Sequence, residues 1–203
     1  WIIFAYGVFG LVPVQYAYFM AVEYGNASIA TILQFIGPFF IIAYQAVFRH
    51  LPPRRIEIIS AIIAFLGVFI IATHGQFNHL AMTLSVLIWG LISAIGVATN
   101  TLIPQNMLRK GRVPSLIITG WGLLFAGLTL VLIHPSQPHI PNVPSVWLYV
   151  LGILVIGTLI PFQLANNSLK YIDATTFSLM DAFEPLSATI GSVLIFHLQM
   201  TGA

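Results

Sequence analysis

The sequence predicts an all-α, polytopic transmembrane helix bundle built on inverted repeats. Its composition is 59% hydrophobic and only 6% charged, whereas about a quarter of the residues in a soluble domain are charged. Apolar runs of about twenty residues, long enough to cross a bilayer, alternate with short polar connections. The first two of these runs recur near the end of the chain, which indicates an internal duplication.

Seven apolar runs are predicted to be membrane-spanning helices. They cover residues 2–22, 27–48, 56–73, 80–103, 114–133, 146–169 and 174–198. The chain starts inside the first run and stops just after the last, so we interpret it as an internal piece of a longer protein.

The basic residues predict how the chain is oriented. If every run crosses the membrane once, all seven Lys and Arg residues fall on one side, in the second, fourth and sixth connections. They are Arg49, Arg54, Arg55, Arg109, Lys110, Arg112 and Lys170. Because Lys and Arg are enriched in cytoplasmic loops, we predict that this side faces the cytoplasm and that the protein lies in the cell (inner) membrane. The net charge of +2 is too small to indicate a nucleic-acid partner.

Two acidic residues lie within the last predicted span. Asp181 and Glu184 are three positions apart, so they share a helix face, and Phe177 precedes Asp181 on it by about one turn. At about 1.5 Å per residue they would lie roughly 10 and 15 Å deep in a hydrocarbon core roughly 30 Å thick. Carboxylates at that depth are costly and generally functional, so we predict that they bind a substrate or a coupling ion. The alternative is a pair that only holds helices together.

The duplication relates the first two spans to the last two at an offset of 147 residues. The identical pairs are Gly10 with Gly157, Tyr24 with Tyr171, Ala27 with Ala174, Pro38 with Pro185 and His50 with His197. One residue further on, Pro13 pairs with Pro161 and Gln15 with Gln163. An odd number of crossings separates the two copies, so they must be inverted. Inverted repeats are typical of secondary transporters, whose sites lie near the membrane midplane.

Four prolines in the duplicated segments, Pro13, Pro38, Pro161 and Pro185, are predicted to break their helices. A proline cannot donate a hydrogen bond to the carbonyl four residues before it. Pro185 is therefore expected to leave the Asp181 carbonyl bare, and Pro38 that of Gln34, which the repeat pairs with Asp181. We predict that both polar breaks face a central axis.

Further polar residues are candidates for the same pocket. Gln15 and Gln163 each follow a proline by two residues, and they would either bind a substrate or cap the loosened backbone. Asn166 and Asn167 lie near the end of their span and are predicted to be interfacial. On the fourth span, polar and small residues recur at helical spacing, which predicts either a cavity wall or a close helix contact. They are Ser85, Trp89, Ser93, Gly96 and Asn100.

No cofactor or metal is predicted. The chain contains no cysteine, so thiolate sites are excluded. His74 with His79 and His134 with His139 are each five residues apart in a connection, which is poor ligand geometry without a carboxylate nearby.

Several short segments carry a family resemblance. They are residues 23–28 (EYGNAS), 33–39 (LQFIGPF), 67–73 (GVFIIAT), 170–174 (KYIDA) and 183–186 (FEPL). In order and spacing they resemble the EamA-type transporters of the drug/metabolite transporter superfamily. The resemblance implies ten helices in two inverted five-helix repeats, of which this chain would hold helices three to five in residues 1–75 and helices six to nine in residues 76–203. The acidic residue usual after the family's fourth helix is replaced by Phe48, Arg49 and His50.

These observations together predict a secondary active transporter in the lipid bilayer. It would move a small organic metabolite, amino acid or drug by alternating access, coupled to protons or cations. Glu184 would be the proton or cation site, and Asp181 would be its partner or a substrate contact. The pocket would be shaped by Gln34, Gln15, Gln163, Trp89, Asn100 and Phe177. The direction of transport and the oligomeric state stay open.

Two other functional classes fit the sequence less well. An intramembrane enzyme is disfavoured because the spans hold a single Asp and the sequence has no Gly-x-Ser-x-Gly or His-Glu-x-x-His motif. A channel would need a continuous polar path, which the apolar third and fifth spans do not supply.

Overall fold

The computed structural model describes residues 1–73, 83–111, 113–135 and 143–196. Within these residues every regular element is helical, and the predicted all-α fold class is confirmed. We number the helices α1 (Ile2–Tyr24), α2 (Ala27–Phe48), α3 (Arg55–Thr73), α4 (Leu84–Arg109), α5 (Ser115–Ile133) and α6 (Pro144–Ser168). A seventh, α7, consists of two half-helices, α7a (Ala174–Met180) and α7b (Phe183–Phe196). Helices α1 to α6 are each long and apolar enough to cross a membrane.

The largest difference from the predicted spans is at the end of α4. The fourth run was predicted to stop at residue 103, but α4 continues through Pro104 to Arg109. Leu102 and Leu108, on either side of the proline, are both buried. Their packing outweighs the single backbone hydrogen bond that Pro104 cannot make. Residues 80–82 of this run and 197–198 of the last run lie outside the described residues.

Helices α2 and α7 are interrupted at positions that the repeat relates. Helix α2 consists of α2a (Ala27–Gln34) and α2b (Gly37–Phe48), while α7a starts at Ala174 and α7b at Phe183. Pro38 lies in the first turn of α2b, and Pro185 lies in the first turn of α7b, where a missing N–H costs little. Each proline therefore begins a new half-helix instead of kinking a continuous one.

The Asp181 carbonyl was expected to be bare, and this expectation is wrong. The backbone N–H of Glu184 donates to it at 3.0 Å. A bond across three residues, the tighter spacing of a 3₁₀ turn, thus replaces the bond that Pro185 cannot donate. The Asp181 carbonyl at the break is therefore hydrogen-bonded within a turn and is not the bare acceptor that was expected.

Wide π-helical turns occur in α1 and α6, the two helices that the sequence repeat relates. They cover Gly7–Leu11 and Pro13–Ala17 in α1 and Ile153–Leu159 in α6. By the offset of the repeat, the α6 segment corresponds to residues 6–12 of α1, so one copy repeats the irregularity of the other. Such turns are rare and often mark functional positions. The Phe9 carbonyl, four residues before Pro13, accepts a hydrogen bond from the Thr99 hydroxyl.

The chain forms two compact units. Unit 1 contains Trp1–Val12 and Thr99–Ile172, and unit 2 contains Pro13–Ala98 and Asp173–Ala203. The chain passes between the units within α1, within α4 and ahead of α7. These units are defined by contacts, whereas the predicted repeats of residues 1–75 and 76–203 divide the sequence, and that division stays a prediction.

Helices α3, α5 and α6 expose many large apolar side chains. Examples are Ile63 in α3, Leu128 and Leu132 in α5, and Leu148 and Ile156 in α6. A soluble protein rarely exposes apolar surface of this extent. These faces are suited to lipid, as expected for membrane-spanning helices.

Candidate functional site

In unit 2, a polar cluster joins three helices at the break in α2. The Gln34 amide Nε2 donates to the Ser93 hydroxyl of α4 at 2.7 Å and to the Val14 carbonyl of α1 at 3.1 Å. The Ser93 hydroxyl also donates to the Val14 carbonyl, at 3.3 Å. Ser93 is fully buried. The predicted site residue Gln34 is therefore held in one orientation by neighbours on two other helices.

Glycines on α4 allow this close approach. A Cβ on Gly96 would lie 2.7 Å from the Val14 nitrogen and 2.9 Å from the carbonyl carbon of Pro13. A Cβ on Gly90 would collide with the Leu33 side chain. At both positions a glycine of α4 makes a close helix contact, and for Gly96 this is one of the two roles that the sequence left open.

An aromatic pair lies beside the polar cluster. Trp89, one turn before Ser93 on α4, meets Tyr16 edge to face, with ring centroids 5.9 Å apart and planes at 82°. Tyr16 follows Val14 by two residues on α1, and both aromatic residues are half-buried. Trp89 is thus brought close to Gln34. Aromatic walls with a few fixed polar groups are typical of small-molecule sites.

The two acidic residues belong to the same unit. Asp181 lies at the break between α7a and α7b and is half-buried, whereas the Glu184 side chain is exposed. Helix α7a packs against α2b and α3, and α7b packs against α3. Phe177, also half-buried, lies on α7a one turn before Asp181. Of the two carboxylates, Asp181 has the more sheltered surroundings.

The other predicted site residues have different surroundings. Gln15 is exposed in unit 2. Gln163 belongs to unit 1, where its Nε2 donates to the Ser115 hydroxyl at 3.0 Å, and Pro161 lies in the first turn of the α-helical stretch after the wide turn of α6. Asn100 is also in unit 1. It packs closely against Gly10, since a Cβ added to Gly10 would lie 3.1 Å from the Asn100 Cα. The histidines at 74, 79 and 139 lie outside the described residues.

Asn166 was predicted to be interfacial, and this prediction is wrong. Only 3% of its surface is exposed, and its Nδ2 donates to the Tyr6 hydroxyl at 3.1 Å and to the Thr119 hydroxyl at 2.9 Å. The sequence does contain a signal for this arrangement. Four polar residues of the last turns of α6 and the connection after it are spaced as one helix face, which is the spacing of a buried stripe. They are Gln163, Asn166, Asn167 and Lys170.

Comparison with known proteins identifies the family. The model of the EamA-like transporter family matches residues 1–73 and 84–202. The chain belongs to the EamA-like transporter family. This family consists of multi-pass membrane transporters and not of enzymes, as the sequence predicted.

Two relatives and one solved structure show how much of a family member the chain represents. It is 29% identical over 198 residues to the uncharacterized inner membrane transporter YicL of Salmonella typhimurium, covering 97% of this chain and 65% of the relative. It is 23% identical over 187 residues to an uncharacterized transporter of Archaeoglobus fulgidus, covering 91% of this chain and 64% of that one. The chain therefore spans slightly less than two thirds of the length of both relatives. A crystal structure with 18% identity shares the fold, with a TM-score of 0.76 over 98% of this chain and 68% of that one.

Replacing Gln34 with leucine is expected to lower the free energy of unfolding by about 1 to 2 kcal/mol, since two partly buried hydrogen bonds are lost. The measurement is reversible unfolding in detergent, followed by circular dichroism. Gln15→Leu makes the same change at an exposed position of α1 and should have little effect. Equal losses in both variants would contradict the role given to Gln34.

Proposed function

We propose that this chain is part of a secondary transporter of the inner membrane that moves a small organic solute, coupled to protons or cations. The supporting observation is that unit 2 holds both breaks related by the repeat. One carries the amide of Gln34 and the other carries the carboxylates of Asp181 and Glu184. The name of the Salmonella relative supports the inner membrane as the location, and the distribution of Lys and Arg supports cytoplasmic placement of the even-numbered connections.

The two acids have different roles in this proposal. Asp181, half-buried at the break of α7, gains and loses the proton or cation, because a carboxylate in apolar surroundings is stable only when protonated or paired. Glu184 lies three residues further on and passes the ion between Asp181 and the surroundings. Gln34, Tyr16 and Trp89 contact the solute, and the aromatic pair favours a solute with an apolar or aromatic part.

Alternating access requires segments that change conformation at low cost. Helix breaks and π-helical turns meet this requirement because their backbone bonds are already irregular. They occur at the Gln34 and Asp181 breaks and in the wide turns of α1 and α6. These positions are the hinges of the transport cycle, and the continuous helices α3 and α5 are its rigid parts.

The test is solute-driven proton movement in vesicles containing the purified protein. A dye inside the vesicles reports pH while a panel of amino acids and apolar amine drugs is added one at a time. A transported solute should give a signal that saturates with concentration. Asp181→Asn and Glu184→Gln should each reduce the solute-driven signal about tenfold or more. Glu23→Gln, at an exposed residue of α1, is the matched control and should keep the wild-type signal.

The outcomes separate the competing functions. An unchanged signal in both acid variants would remove the coupling role. Flux that grows linearly with solute concentration would indicate a channel, and conversion of the solute without flux would indicate an enzyme.

A further inference from the structure

A second polar cluster lies in unit 1, where the end of α6 meets the start of α5. The Lys170 ammonium donates to Asn167 Oδ1 at 2.7 Å and to the Ser115 hydroxyl at 3.4 Å. The same hydroxyl accepts a hydrogen bond from Gln163 Nε2 at 3.0 Å. Ser115 is buried, and the other three residues are half-buried. The cluster is therefore partly sheltered from its surroundings.

The electrostatics of this cluster favour an anion. Both oxygens that accept from Lys170 belong to neutral side chains, so these bonds hold the ammonium in place without cancelling its charge. Ser115 is also the first residue of α5, and the first N–H groups of a helix have no partner within it. The positive end of the helix dipole adds to the charge of Lys170.

One acceptor in the cluster also requires a donor. The Gln163 Oε1 atom is buried and has no hydrogen-bond partner among the described residues. Buried amide oxygens are nearly always hydrogen-bonded. Gln163 Nε2 and Lys170 Nζ both donate to the Ser115 hydroxyl, so the two side chains lie close enough together to share one small ligand.

These requirements define the ligand. It needs an anionic oxygen group for Lys170 and, next to that group, a hydrogen-bond donor for Gln163. A neutral hydroxyl suits the donor position better than an amine, because an ammonium group would be repelled by Lys170 and by the positive end of α5.

We propose that Ser115, Gln163, Asn167 and Lys170 form a binding site for a small 2-hydroxycarboxylate. The carboxylate lies on Lys170, and the hydroxyl donates to Gln163 Oε1. Ser115 and Asn167 position the ammonium. This site lies in unit 1 and does not depend on Asp181 or Glu184, so it goes beyond the proposed transport function.

The test is a thermal-shift titration of the purified chain in detergent, with sodium chloride keeping the ionic strength constant. Sodium lactate is the probe, and sodium acetate is the same carboxylate without a hydroxyl. We expect lactate to half-saturate the shift at a concentration about fivefold below that of acetate. Lys170→Gln should raise the half-saturating lactate concentration about tenfold. Gln163→Leu should remove the difference between lactate and acetate.

The controls keep this proposal independent of transport. Lys110→Gln removes a positive charge at an exposed position and should leave lactate binding within about twofold of wild type. Asp181→Asn should also bind lactate normally, whatever its effect on proton movement. Equal shifts with lactate, acetate and chloride would overturn the site, as would unchanged lactate binding in both Lys170→Gln and Gln163→Leu.

Discussion

Gly96→Ala is expected to lower the free energy of unfolding by about 2 to 3 kcal/mol, the cost of overpacking a close contact. The added Cβ would lie 2.7 Å from the Val14 nitrogen and 2.9 Å from the Pro13 carbonyl carbon. Both are backbone atoms of α1, so no side chain can rotate away to make room. Helix α1 would have to move off α4, and the Val14 carbonyl would be drawn away from Gln34 and Ser93.

The control for this variant is a glycine with open space around it. Gly67 in α3 has no atom within 4 Å of an added Cβ. Alanine forms helices better than glycine, so Gly67→Ala should be neutral or up to about 1 kcal/mol more stable. Both variants are measured by reversible unfolding in detergent. If Gly96→Ala is as stable as Gly67→Ala, the close contact between α1 and α4 does not exist.

Asn166→Ala is expected to cost about 2 to 3 kcal/mol, because it breaks two buried hydrogen bonds and leaves the Tyr6 hydroxyl without this donor. The Tyr6 hydroxyl and the Thr119 hydroxyl both accept from Asn166 Nδ2, and their residues are 1% and 0% exposed. Neither can bond to water instead. Tyr6→Phe removes only one hydroxyl and should cost about 1 kcal/mol.

A double-mutant cycle tests the bond itself. Once Asn166 is replaced by alanine, removing the Tyr6 hydroxyl should cost less than it does in the wild type, since its partner is already gone. Strictly additive losses would show that Asn166 and Tyr6 do not interact. Asn106→Ala, at a half-buried asparagine of α4, measures the general cost of losing an asparagine side chain from a helix.

The helices of this fold could be predicted from the sequence because lipid imposes a simple rule on length and polarity. The rule does not predict where a helix ends when packing against other helices extends it. The fourth span was predicted to end at residue 103, yet α4 continues through Pro104 to Arg109, with Leu102 and Leu108 buried on either side of the proline. Which residues become buried depends on the neighbouring helices, and the sequence of a single apolar run does not show which helices will pack against it.

The candidate site was predicted only in part for the same reason. The repeat selected Gln34 by pairing it with Asp181, but it could not supply Ser93 or the Val14 carbonyl as partners, because these lie on other helices. Asn166 was placed at the interface from its distance to the end of the span, which ignores the direction of its side chain. The roles of Asp181, Glu184, Gln163 and Asn100 in transport stay predictions.

The wide turn of α6 has a consequence for the residues that follow it. A π-helical turn takes up about one residue more than an α-helical turn, and each residue of an α-helix advances the side chains by about 100°. Were Ile153–Leu159 an ordinary helix one residue shorter, the rest of α6 would be rotated by about that angle. Asn166 would then point away from Tyr6 and Thr119, and Lys170 away from Ser115. The irregular turn thus determines which way the later side chains of α6 point, so that its polar residues face the protein and not the hydrocarbon.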